Sequence, residues 1–271
     1  MIQTKEINQI ARQNGVRDTQ IEKDYILSWL LNGISQHKQL AACIVFKGGT
    51  LLKKIYFEDY RFSEDLDFTL LDDKITNDQI FAWFNELFEY VKEDANIPLS
   101  IIDNTEHNDG GINFHITYVG PLGGTVGTKK IKVDISRSEA LQFNTITKSV
   151  IIPYSDLSDH NLLCYSLEEA LVEKMRSVMQ RMQSRDFYDI WYLITENKMD
   201  VDFLINEFIE KCKSKNLNAK DFPKKLEERI PQYKNQWQNS LSAQINDLPD
   251  FDTVARSVQR ELRKLKFPSS S

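Results

Sequence analysis

The stretch FKGGTLLKKIYFEDYRFSEDLDF, residues 46–68, constrains the fold more than any other part of the chain. Gly48 and Gly49 follow a short apolar run and precede LLKKIYF, so this region reads as a strand turning tightly into a helix of about two turns. Such a junction aims backbone N–H groups and the positive end of a helix dipole at one spot, which suits a phosphate. The pattern is neither a P-loop, because no GK[ST] follows at the required spacing, nor GxGxxG. Sixteen residues after Gly49 comes Asp65-Leu66-Asp67. Strand residues two apart share a face, so Asp65 and Asp67 point one way while Leu66 and Phe68 point the other. Adjacent carboxylates repel unless a cation lies between them, and Mg²⁺ accepts such oxygens alongside substrate phosphates.

A third carboxylate stands in KIKVDIS, residues 130–136, where Ile131, Val133 and Ile135 alternate with Lys132, Asp134 and Ser136. If this strand neighbours 65–71, Asp134 completes a cluster of the kind that holds catalytic metals.

The rest of the chain divides by pattern. Thr19-x-x-Glu22 reads as a capping box before a helix carrying Ile21, Tyr25, Trp29 and Leu30. Residues 41–46 read as a buried strand, 76–93 as an amphipathic helix, and 98–103, 112–119 and 129–136 as strands, with a hairpin signal at 108–111. Six of the ten glycines fall between 110 and 127, so GPLGGTVG, residues 120–127, reads as a mobile hairpin connection or as a flap over a substrate.

From Ser166-x-x-Glu169, a second capping-box pattern, the chain turns helical. Leu167, Leu171, Met175, Val178 and Met182 follow at helical spacing. Lys174, Arg181 and Arg185 then fall within about 40° of each other as one cationic stripe. Residues 186–266 read helical apart from connections near Pro223, Pro231 and Pro249. The expected fold is α+β: a first domain of sheet and helices over 1–165 and a helical domain over 166–271.

No apolar run reaches the ~18 residues that span a bilayer. The polar N-terminus lacks a signal-peptide core, so a cytoplasmic location without membrane association is expected. The three cysteines and four histidines are scattered and form neither a disulfide framework nor a zinc motif. A net charge of −6 argues against indiscriminate nucleic-acid coating. A local patch such as RSVQRELRKLK, residues 256–266, with Arg256, Arg260 and Arg263 on one face, reads as a solvated helix end or as a salt-sensitive contact with RNA or an acidic partner.

Taken in order, IEKDY (21–25), GGT, RFSEDLDF, KVDIS, EEALVEKMRSVMQR and RDFYDIWYL resemble the AbiEii/AbiGii toxin family of nucleotidyltransferases over roughly residues 15–195. The glycine-plus-DxD signature alone indicates only the DNA polymerase β-like superfamily. The resemblance implies a polymerase β-like mixed sheet flanked by helices, a helical C-terminal domain, and an NTP bound with Mg²⁺. It implies a toxin of an abortive-infection toxin–antitoxin pair, and related MenT-like toxins add nucleotides to tRNA 3′ ends. By motif it assigns Asp65 and Asp67 to the metal, which Asp134 joins on the strand pattern above. Gly48, Gly49, Thr50, Arg61, Ser63 and Lys174 go to the nucleotide, and Asp65, Asp67, Lys174 and Asp186, with Asp189 as the alternative to Asp186, to catalysis. The expected partners are NTP, tRNA or another RNA, and a cognate antitoxin. The competing readings are a protein or small-molecule nucleotidyltransferase, a metal-dependent nuclease, and a degenerate scaffold.

Overall fold

The computed structural model describes residues 1–108, 110–137 and 139–268. The chain forms two compact units: Met1–Glu139 with Thr145–Tyr165, and Ala140–Asn144 with the chain from Ser166 onward.

The first unit begins with helices α1 (Thr4–Asn14), α2 (Asp18–Gln36) and α3 (Lys38–Cys43). Strand β1 (Ile44–Lys47) leads into the short helix α4 (Gly48–Leu51), which continues as a π-helical turn, Leu52–Tyr56. Strand β2 (Asp65–Leu70), helix α5 (Asn77–Ala95) and strands β3 (Leu99–Glu106), β4 (Ile112–Tyr118), β5 (Lys130–Ser136), β6 (Ile146–Ser149) and β7 (Asn161–Cys164) follow. The strands form one mixed sheet in the order β3-β4-β5-β2-β1-β7-β6. The β2–β5 and β1–β7 pairs are parallel, and the others are antiparallel.

Period-two alternation gives the central strands one apolar and one polar face. Leu66, Phe68, Val133 and Phe114 are fully buried on the apolar side. Helix α5 lays Phe84 against Phe114 edge to face, with ring centroids 5.0 Å apart. It starts on a capping box between Thr76 and Gln79 and ends at Asn96 in the left-handed region, φ 55°.

Two local expectations are corrected, and one pair of strands had no sequence signal. Thr19 lies inside α2, whose cap position is Arg17, so Thr19-x-x-Glu22 is no capping box and the Glu22 carboxylate is used elsewhere. Ala41–Cys43 finish α3 rather than open a strand, because the His37 ring accepts from the Leu40 N–H at 3.3 Å and caps that helix. Strands β6 and β7, four residues each, are too short to leave a readable alternation. In the 108–111 turn, Asp109 lies outside the described residues, while the strands on either side pair directly.

The second unit contains α6 (Leu167–Gln180), α7 (Ser184–Trp191), a π-helical turn Tyr192–Glu196, α8 (Ile205–Lys213), α9 (Phe222–Leu241) and α10 (Phe251–Leu262). Phe187 stacks on Tyr233 at 5.0 Å, and Trp237 and Phe251 close the aromatic core. Two expectations fail here. Pro231 lies within α9 instead of ending it, since burying Tyr233, Trp237 and Leu241 along one face outweighs the lost backbone bond. The cationic stripe does not exist, because α6 stops at Gln180 and Arg181 is extended, so Lys174, Arg181 and Arg185 share no helix. Met182, beyond that break, is exposed.

Candidate active site

Three aligned strands set out the polar face. Antiparallel β1–β2 pairing puts Lys47 opposite Asp67, and parallel β2–β5 pairing puts Asp67 opposite Asp134 and Asp65 opposite Lys132. Asp65, Asp67 and Asp134 therefore share one face, all half-buried, while Leu66 and Phe68 are sealed on the other. The Asp134 carboxylate lies 3.6 Å from Lys132 Nζ and 3.7 Å from His107 Nε2. Among the described residues no three His, Cys, Asp or Glu side chains stand close enough to form a ready metal site.

The two glycines have separate reasons. Gly48 has φ +84°, and a Cβ there would sit 2.2 Å from Asp67 Oδ2, so only glycine admits both the backbone and the carboxylate. At Gly49 a Cβ would meet Arg61 Nη2 at 2.6 Å and Ser63 Oγ at 3.4 Å. Arg61 is buried and donates to the Phe62 carbonyl at 3.2 Å. The Thr50 hydroxyl donates to the Asp65 carbonyl, tying the first turn of α4 to the start of β2. Gly48, Gly49, Thr50, Arg61, Ser63, Asp65 and Asp67 thus converge on one turn. The carboxylate donors and the cradle at Gly48 suit Mg²⁺, which is held through one or two carboxylates plus substrate phosphates rather than by an all-protein cage.

Two residues missed in the sequence belong beside this turn. Lys47 is buried, and its ammonium reaches across β2 to donate to Ser136 Oγ at 2.7 Å. Its place immediately before the glycine pair was the available signal. Asp24, from IEKDY, accepts from Lys54 Nζ at 2.5 Å and from Tyr154 Oη at 2.6 Å, and Lys54 also donates to Ser28 Oγ at 2.8 Å. Burial pulls the Lys54 ammonium down from its ordinary value while Asp24 opposes that shift. Burial, then Asp24, pushes the Tyr154 phenol well up. This cluster fixes α2 to the π-helical turn that continues α4.

In the second unit Lys174 is itself enclosed. Its Nζ lies 2.7 Å from Asp186 Oδ1 and 2.7 Å from Asp189 Oδ2, with both aspartates buried. Arg181 adds a 2.7 Å bond to Asp186. Burial alone would raise the Asp186 carboxyl, but Lys174 and Arg181 outweigh it and hold the group well below the usual carboxylate range. Glu169 caps α6 only halfway. The Ser166 hydroxyl accepts from its N–H, while its carboxylate takes the Gln142 and Phe143 N–H groups and Lys211 Nζ, tying residues 140–144 to α6.

A glycine turn against an Asp-x-Asp strand on a mixed sheet defines the class as a nucleotidyltransferase-type fold. Residues 29–257 match the family described as "Nucleotidyl transferase AbiEii toxin, Type IV TA system". The chain belongs to this AbiEii family and is a nucleotidyltransferase. A comparison with curated proteins gives no match. Among solved structures, it is similar to the MenT4 nucleotidyltransferase toxin of Mycobacterium tuberculosis, at 17% identity, covering 98% of this chain and 91% of that one, with a TM-score of 0.62. It is also similar to JHP933 of Helicobacter pylori, at 16% identity, 92% of each chain and a TM-score of 0.58. A putative nucleotidyltransferase of H. pylori matches at 15% identity over 92% and 95%, with a TM-score of 0.57. No helix among the described residues is long and apolar enough to cross a membrane.

Proposed function

We propose that this toxin transfers a nucleotidyl group from an NTP to an RNA hydroxyl, with a tRNA 3′ end as the acceptor, and that a cognate antitoxin opposes it. The observation that carries the transfer is the meeting of Asp65 and Asp67 with the Gly48–Gly49 turn on the polar face of the sheet. Asp65 and Asp67, with Asp134 beside them, would hold Mg²⁺. When bound, the ion neutralises phosphate charge during in-line displacement. Arg61 and Lys47 supply fixed positive charge at the same turn. In the reaction the acceptor oxygen bonds to the α-phosphorus, the bond to the bridging oxygen breaks, pyrophosphate leaves, and the hydroxyl proton is released. Lys174 and Asp186 enter through the family motif alone.

The RNA acceptor rests on the toxin family and on the basic side chains within an acidic chain. The test incubates the protein with Mg²⁺, each α-labelled NTP in turn, and either total cellular RNA or protein extract. Label in tRNA-sized bands that vanishes with Asp65→Asn is the expected result. Label confined to protein would establish an AMPylating enzyme instead, and shortened RNA without incorporation a nuclease.

A further inference from the structure

Glu22 is fully buried, yet neither of its carboxylate oxygens serves its own helix. Oε1 accepts from the Leu122 N–H at 2.8 Å, and Oε2 accepts from Lys129 Nζ at 2.6 Å. The same ammonium donates to the Gly123 carbonyl at 2.6 Å. Gly120 makes this approach feasible, since a Cβ there would lie 2.7 Å from Glu22 Oε1. Three further bonds brace the segment. Thr4 Oγ1 donates to the Pro121 carbonyl at 2.7 Å, the Gly127 N–H donates to Thr117 Oγ1 at 2.9 Å, and that hydroxyl donates to the Lys129 carbonyl at 3.1 Å. The base of the glycine loop is thus clamped, and only its tip, with Val126 71% exposed, projects from it.

The topology says what the clamp serves. Strand β1 is antiparallel to β2 and β5 is parallel to it, so Lys47 at the end of β1, Asp65 at the start of β2 and Lys130 at the start of β5 meet at one end of the sheet. There the glycine turn after β1 and the 120–129 loop before β5 flank the Asp65–Asp67 strand on opposite sides. In-line transfer needs the entering and leaving oxygens on opposite sides of the phosphorus. With the triphosphate on the glycine turn, an acceptor entering from the side of the loop meets that requirement.

We propose that Glu22 is a positioning residue: through Lys129 and the Leu122 amide it latches the 120–129 loop as a fixed lip that seats the acceptor, here RNA. The proposal rests on the transfer reading above for the acceptor's identity, and the latch itself does not depend on it.

The experiment compares wild type with Glu22→Gln, Lys129→Met, the double variant and Gly120→Ala, which drives a methyl against the carboxylate. Amide hydrogen exchange over residues 121–128 should quicken about tenfold or more in each, with exchange in β2 and β5 unchanged. The double variant should match the singles, because both remove one unit. With unfractionated tRNA and a labelled NTP, KM for tRNA should rise about fivefold or more, while the Kd for NTP stays within about twofold. Unchanged exchange in all variants overturns the latch. Faster exchange with an unchanged acceptor KM, or with an equal loss of NTP affinity, overturns the acceptor-side role. If wild type labels protein instead of tRNA, the RNA reading fails alone, and the same KM comparison is made with that protein acceptor. Global unfolding of Glu22→Gln shifts the decision to Lys129→Met, whose side chain is partly exposed.

Discussion

The molecule gathers charge in two opposite ways. In the first unit, Asp65, Asp67 and Asp134 line up with like sign on one sheet face, half-exposed, beside a glycine turn against which the Asp67 carboxylate, the Arg61 guanidinium and the Ser63 hydroxyl pack. In the second, Lys174 and Arg181 meet Asp186 and Asp189 with opposite sign, and the lysine and both aspartates are buried. Like charges set side by side gain nothing for folding by themselves; Lys132 and His107 face the Asp134 carboxylate at 3.6 and 3.7 Å, and the proposed Mg²⁺ would compensate the set further. Buried opposite charges are held by each other, and removing one leaves the rest uncompensated. On the proposed reading the first cluster serves chemistry, and the second is expected to act as a lock whose loss is felt first in the fold.

Substitution in each cluster should separate the two. Asp67→Asn should cut nucleotidyl transfer by about a hundredfold or more while the protein stays folded, since it removes a donor that would hold Mg²⁺ against the triphosphate. Lys174→Met should do the reverse in order of cause. It takes the buried ammonium away from two buried carboxylates, of which Asp186 keeps Arg181, at a cost of ~3–5 kcal/mol, lowering Tm by on the order of 10 °C or more. Calorimetry and transfer assays on both variants decide the matter. A Lys174→Met protein of wild-type Tm that has lost NTP affinity would reverse the division and make Lys174 a nucleotide contact, as the family motif assigns it.

Much of this division was legible in the sequence, and the limits have physical causes. The Asp65–Asp67 face, the opposite burial of Leu66 and Phe68 and the polar side of the Asp134 strand follow from period-two alternation, which central strands with one polar face obey strictly. The pairing of that strand with β2 is a property of the sheet order that alternation leaves open. The glycine pair was legible as a turn, but not its reasons, because Asp67 and Arg61 reach it only through the tertiary fold. Glu22 was misread for the same cause: Thr-x-x-Glu spacing cannot show that the carboxylate serves a loop a hundred residues onward. The Lys174 stripe failed because periodicity was carried past Gln180, where nothing local marks the helix end. Asp24 and Lys54 lie 30 residues apart, with no periodic signature to join them.

Acid provides a smaller, graded test of the second cluster. The Asp186 carboxyl is depressed in the folded state, so its contribution is fully present above the ordinary value of 3.8 and is lost as pH falls below it toward the depressed value. Thermal stability of the wild type should therefore drop in that acidic window more steeply than that of Asp186→Asn, which has no such group to protonate. Parallel curves for the two proteins would show that Lys174 and Arg181 do not stabilise the charged carboxylate.

The smallest effect is expected outside both clusters. Lys224, on the exposed side of α9, is 80% exposed and lies 3.9 Å from Glu228 Oε1 one helical turn on. An exposed pair at this spacing contributes ~0.3–0.5 kcal/mol, and alanine returns a few tenths through helix propensity. Lys224→Ala should then leave Tm within about 1–2 °C of wild type, with transfer rate and NTP affinity unchanged. The value of this variant is that, like Lys174→Met, it removes a lysine ammonium from a helix of the second unit, but one that is exposed rather than buried between carboxylates. A loss of activity at constant Tm would mean that the face of α9 takes part in function, and the contrast between a chemical cluster in one unit and a structural lock in the other would no longer hold.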